Sequence, residues 1–100
     1  MIQILIMTPS LTPHDAVTND VLFQKKELLA RGYQVFIYAE FCDDLLMDEV
    51  LAIGTFENML QNKNNILIYH HSVGWDIGFR LLKHSKCKAI LKYHNITPPE

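Results

Sequence analysis

Residues 2–7 read IQILIM and run into TPS at 8–10; residues 17–31 read VTNDVLFQKKELLAR; residues 33–39 read YQVFIYA. The first stretch is a nearly continuous apolar run rich in isoleucine, which suits a strand covered on both faces better than one alternating between core and solvent. In the second, Val21, Leu22 and Phe23 recur seven positions later as Leu28, Leu29 and Ala30, with Lys25, Lys26 and Glu27 between them. That is the pattern of an amphipathic helix. Asp15 or Thr18 can cap its start, and Arg31 followed by Gly32 supplies a last-turn cation and a left-handed stop. The third stretch is β-branched and aromatic and reads as a second strand. A strand, a helix and a strand in this order are the unit of a parallel sheet.

Further along, residues 40–65 are the least regular, because Asp43, Asp44, Asp48 and Glu49 surround leucines without a firm period. A loop or a weak helix is expected there. Thr55 can cap a short helix carrying Phe56, Met59 and Leu60, which the polar run at 61–65 ends. Residues 66–70 form a third strand, and Ser72 is placed to cap a helix over 74–84 in which Trp75, Phe79 and Leu82 repeat at helical spacing, flanked by Ile77 and Leu81. A fourth strand covers 87–93. This alternation predicts the α/β class: a Rossmann-like parallel sheet of about four strands with flanking helices, joined by right-handed crossovers. The expected order puts the first strand centrally, the second and third on one side and the fourth on the other. Ligands then bind where the first and fourth strands meet, at residues 8–18 and 94–97. With no helix after it, the fourth strand is expected to remain a bare edge. The chain is therefore expected to be part of a larger protein and to self-associate through that edge.

Composition narrows the function classes. The chain has 100 residues, 49% hydrophobic and 20% charged, with net charge −2, which allows one globular domain at most. No broad basic surface exists, so nucleic acid is not an expected partner. The longest apolar run, residues 4–7, falls far short of the ~20 residues of a membrane helix, which leaves only peripheral membrane association. The N-terminus lacks the basic region of a secretory signal, so a cytoplasmic address is expected. Cys42 and Cys87, with no CxxC, read as reduced thiols rather than a disulfide framework or zinc site. Gly32, Gly54, Gly74 and Gly78 form neither GxGxxG nor GxxxxGK[ST], which argues against a dehydrogenase or a P-loop ATPase. Met7, Thr8 and Pro9 stand where a phosphorylation receiver needs acids. His70 and His71, adjacent on a strand, point to opposite faces and read as structural rather than metal-binding.

His94 ends the fourth strand at the expected crevice, between Tyr93 and Asn95. Position alone leaves two readings open: a hydrogen-bonding or proton-handling group facing a ligand, or an imidazole that caps the strand end. Asp15, Thr18, Asn19 and Asp20 have the residue types of a helix cap. Trp75 and Phe79 are expected in the core, His14 in solvent and His84 at a helix end.

Three segments together, ILIMTPSLTPHDAVTNDVLFQ (4–24), ILIYHHSVGWDIG (66–78) and LKYHNITPPE (91–100), resemble the N-terminal part of bacterial glycosyltransferases of the group 1 family, which have the two-domain GT-B fold. The resemblance covers nearly the whole chain. It implies a retaining transferase that moves a sugar from a nucleotide-diphosphate donor to an acceptor, without a cofactor or bound metal. In that family the N-terminal domain mainly holds the acceptor and the C-terminal domain the nucleotide. His94 then corresponds to the histidine that faces the donor sugar, and Ser10, Asp15, Thr18, Asn19, His71, Asn95 and Thr97 are the substrate-binding candidates beside it. Many relatives carry paired glycines after the first strand, where this chain reads TPSLTPHDAVTND. The family's glutamates spaced by seven, and the basic pair that holds the diphosphate, belong to the C-terminal domain and have no counterpart here, so the chain alone is expected to be inactive. The alternative is a non-catalytic Rossmann-like binding module complete in itself.

Overall fold

The computed structural model describes residues 2–71 and 75–93, the side chains of His71 and Tyr93 excepted. In order, the elements are β1 (Gln3–Leu11), α1 (Ala16–Ala30), β2 (Gln34–Cys42), a 3-10 helix (Asp44–Glu49), α2 (Ile53–Leu60), β3 (Ile66–His71), α3 (Asp76–His84) and β4 (Lys88–Tyr93). All strand pairings are parallel, and the sheet order is β2-β1-β3-β4. The α/β, Rossmann-like class is therefore the observed one.

The helices follow from handedness. Stepping from β1 to β2 and then back across β1 to β3 reverses direction, so right-handed crossovers put α1 on one face and α2 on the other; β3 to β4 continues the same way and leaves α3 beside α2. Two cores result. Ile4, Ile6, Leu11, Val21, Val35, Ile37 and Ala39 pack between the sheet and α1. Leu5, Met7, Tyr38, Phe56, Leu60, Leu67, Tyr69, Trp75 and Leu81 fill the α2–α3 side. The alternation of β1 residues between the two cores explains its unbroken apolar run. At the amino end of the strands, buried Asn65 ties β3 to its surroundings: its Oδ1 accepts from the Gln3 amide (3.1 Å), while its Nδ2 donates to Met59 O (2.9 Å) and to Gln3 Oε1 (3.2 Å).

Strand order departs from expectation. β4 lies beside β3, not beside β1, so the loops after β1 and β4 are not neighbours. The reason lies in β2. Its outer side is taken at Ile37 by Val50, in a parallel bridge with Leu51 N donating to Ile37 O at 2.9 Å, which leaves β2 as an edge and β1 free to pair with β3. A second difference is the length of β1, which continues through Pro9 to Leu11 rather than stopping at Met7. Pairing with β3 has ended by then, and Pro9 has no partner in the β2 register, so its missing N–H interrupts no ladder. Phe79, expected in the core, is 62% exposed, whereas Trp75 is buried. Helix α3 is capped at Trp75, and the expected cap Ser72 lies outside the described residues.

Gly78 in α3 lies directly under the Trp75 ring, where an added Cβ would overlap its six-membered part; Gly54 in α2 faces open space. The two glycines should thus respond oppositely to alanine. Gly78→Ala is expected to lose about 1–3 kcal/mol through overpacking. Gly54→Ala should gain up to about 1 kcal/mol from helix propensity. Urea melts of both variants beside the parent chain check the pair.

Candidate functional site

The sheet opens at its carboxyl edge. β1 pairs with β3 only from Ile4 to Met7, opposite Ile66 to Tyr69. Beyond that, Thr8, Ser10 and Leu11 stay in register with Ala39, Phe41 and Cys42 of β2, while His70 and His71 stay in register with Lys92 and Tyr93 of β4. The two central strands thus part company, and the parting falls at the switch point between β1 and β3, where open α/β sheets bind ligands. Thr8 and His70 flank it fully buried, and Ser10 lies half-buried further along the β1 wall.

On the α1 face the wall is polar. His70 Nε2 and Gln24 Oε1 are 2.8 Å apart, and because an amide oxygen only accepts, the ring donates through Nε2. One turn earlier on α1, Asp20 pairs with Lys92. Asp20 and Gln24 are separated by four residues on the helix, and Lys92 and His70 face each other across adjacent strands, so the two spacings match. On the opposite face Trp75 reaches between strands: its ring stacks on Tyr69 at 5.8 Å and 18°, and its Nε1 donates to Glu40 Oε1 of β2 at 2.6 Å. Burial, then the neighbouring Glu40 carboxylate, raises the Tyr38 phenol above its ordinary value.

The loop after β1 is closed on itself. Asp15 caps α1, its Oδ2 accepting from Thr18 N (3.0 Å) and Thr18 Oγ1 (3.2 Å); Thr18 Oγ1 in turn accepts from Thr12 N (2.9 Å). His14 holds a positive φ of 64° at the bend. Of the candidates from sequence, then, Ser10 and the backbone of His71 flank the opening, Asp15 and buried Thr18 serve the cap, and Asn19 is exposed on the first turn of α1. His94, Asn95 and Thr97 lie outside the described residues, as does the His71 side chain. Sequence reading overlooked Gln24, Glu40 and Lys92. The i, i+4 pair Asp20 and Gln24 was the available signal, visible only once β3 and β4 are known to lie under that face.

Away from this edge, a hollow of about 70 Å³ between α2 and α3 is bordered by Glu57, Arg80 and His84, far below the ~300 Å³ of a typical ligand site. Among the described residues no helix is long and apolar enough to cross a membrane. Comparison of the chain with protein-family models, with curated proteins and with solved structures finds no match in any of the three.

The two thiols are half-buried and free. Burial raises the Cys42 thiol, with the Asp43 and Asp44 carboxylates adding to it; burial also raises Cys87, against a smaller opposing hydrogen bond with Ser85. A raised thiol stays protonated in the folded state, so its contribution to stability is present at neutral pH and is lost as pH rises through the folded value. Alkylation by iodoacetamide at pH 8 is expected to be slow for both and to accelerate in urea. For Asp15, replacement by Ala should cost about 1 kcal/mol, and replacement by Asn, which also caps, should recover most of it; urea melts of both variants read the difference.

Proposed function

We propose that this chain is the acceptor-side part of a glycosyltransferase that uses a nucleotide-diphosphate sugar. The observation that carries the proposal is the parting of β1 from β3, because the described parts of two of the three segments that resemble group 1 glycosyltransferases, 4–24 and 66–71, border it at the carboxyl edge where α/β sheets hold ligands. Hydroxyl, amide and imidazole groups are suited to sugar hydroxyls, being donors and acceptors at once. On this reading Ser10 contacts the acceptor, Asp15 and Thr18 hold the loop in shape, and His71 is an acceptor-side candidate from the sequence, its backbone at the opening. His94 belongs to the donor-sugar side by resemblance, with Asn95 and Thr97 the substrate-binding candidates after it. Departure of a diphosphate needs cations or amides aimed at the developing charge. The family supplies those from its C-terminal domain.

The test is an amide NMR titration of the labelled chain with monosaccharides and disaccharides, and separately with nucleotide-diphosphate sugars and free nucleotides. Saccharides at millimolar concentration are expected to shift residues 8–12 and 70–71, with no sugar transfer by the chain alone. A response to free nucleotide without any response to saccharide would assign the chain to the non-catalytic binding modules instead. Shifts confined to other parts of the sheet would also remove the proposal.

A further inference from the structure

The two edges of the sheet carry opposite charge. Beside β2, residues 40–50 hold Glu40, Asp43, Asp44, Asp48 and Glu49 with no lysine or arginine. Beside β4, residues 83–92 hold Lys83, Lys86, Lys88 and Lys92 with no aspartate or glutamate. Each edge spends one charge internally, Glu49 on Lys25 (2.8 Å) and Lys92 on Asp20. Asp44 and Asp48 remain exposed at one edge, and Lys86 and Lys88 at the other.

Both edges also display apolar side chains. Phe41, Leu45 and Met47 are 61%, 82% and 54% exposed beside β2, and Ile90 and Leu91 are 52% and 46% exposed on β4. Among the described residues β4 is the outermost strand on that side, and no described strand pairs with its outer backbone groups. A β4-to-β4 dimer would set the same lysines against each other in one seam, which disfavours that arrangement. The opposite edge of a second copy offers apolar side chains ringed by acids.

We propose that this chain associates head to tail: the lysine-bearing β4 edge of one copy docks on the acidic edge formed by β2 and the Asp44–Glu49 helix of the next. Such an interface is heterologous and generates an open series rather than a closed dimer. Screening by salt weakens its charged part, while the exposed leucines, isoleucine and phenylalanine lose water on contact. The charges that the test alters, Asp44, Asp48, Lys86 and Lys88, take no part in the walls of the opening between β1 and β3.

Sedimentation velocity and light scattering of the full chain test it. Mass should rise with concentration through dimers and higher species, and raising salt from 50 mM to 500 mM should weaken association about tenfold. Asp44→Lys with Asp48→Lys, and separately Lys86→Glu with Lys88→Glu, should each give monomers, because each cancels most of the charge of one edge and so removes the complementarity between the two. Mixing the two doubly substituted chains should restore association. Circular dichroism confirms that each variant folds; the single changes Asp48→Lys and Lys88→Glu replace any double variant that does not. A parent chain that stays monomeric at low salt overturns the proposal. So does an Asp44→Lys, Asp48→Lys chain that associates as the parent does, which would point to β4 pairing with itself.

Discussion

The structure depends on β1 being paired on both sides and buried on both faces. Residues 4–7 share ladders with β2 and β3 at once, and Leu5, Ile6 and Met7 have no exposed surface. Burying each such side chain contributes about 1.5–3 kcal/mol, and alternate residues feed the two separate cores, so one short segment couples α1 to α2 and α3. That double pairing ends at Met7. The same strand that organises the core therefore creates the opening at the carboxyl edge.

What holds the opening in shape is polar on one side and aromatic on the other. Buried His70 is engaged with Gln24, and Asp20 with Lys92, so α1 is fastened to β3 and β4 by side chains as well as by apolar contact. Across the sheet, Trp75 ties β3 to β2 through its stack on Tyr69 and its bond to Glu40. A buried histidine or indole N–H without a partner costs ~1–3 kcal/mol. These contacts therefore make the position of α1 and the start of α3 specific, where an apolar surface alone would tolerate sliding.

Much of this was legible in the chain. The apolar run at 2–7, the seven-residue recurrence in 17–31 and the aromatic stretch at 33–39 each produced the expected element, with Asp15 as the helix cap and Gly32, at φ 91°, just past its end. Strand order was not legible, because it turns on the bridge between Ile37 and Val50, a contact made by a stretch with no regular period. Nor did Phe79 follow its spacing. In α3, Trp75 and Leu81 supply the buried stripe and Gly78 makes room for the indole, so Phe79 is turned outward. For the site, residue type pointed correctly to Asp15 as the cap, while the alternative cap Thr18 lies inside α1 and donates to Asp15 instead, and Gln24 and Glu40 gained partners only through tertiary packing.

The observed order also changes what one ligand can reach. Neighbouring strands are about 4.8 Å apart, so β4 lies roughly 10 Å from β1 with β3 between them. A single sugar ring held at the parting of β1 and β3 meets groups from those two strands. Contact with the end of β4 as well requires a longer molecule, or two molecules side by side. A transferase has that requirement built in, because acceptor and donor sugar must be present together with their reacting atoms about 3 Å apart. In the proposed enzyme the groups on β1 and β3 would therefore select the acceptor, and groups reached from the end of β4 would belong to the second, donor half of the site.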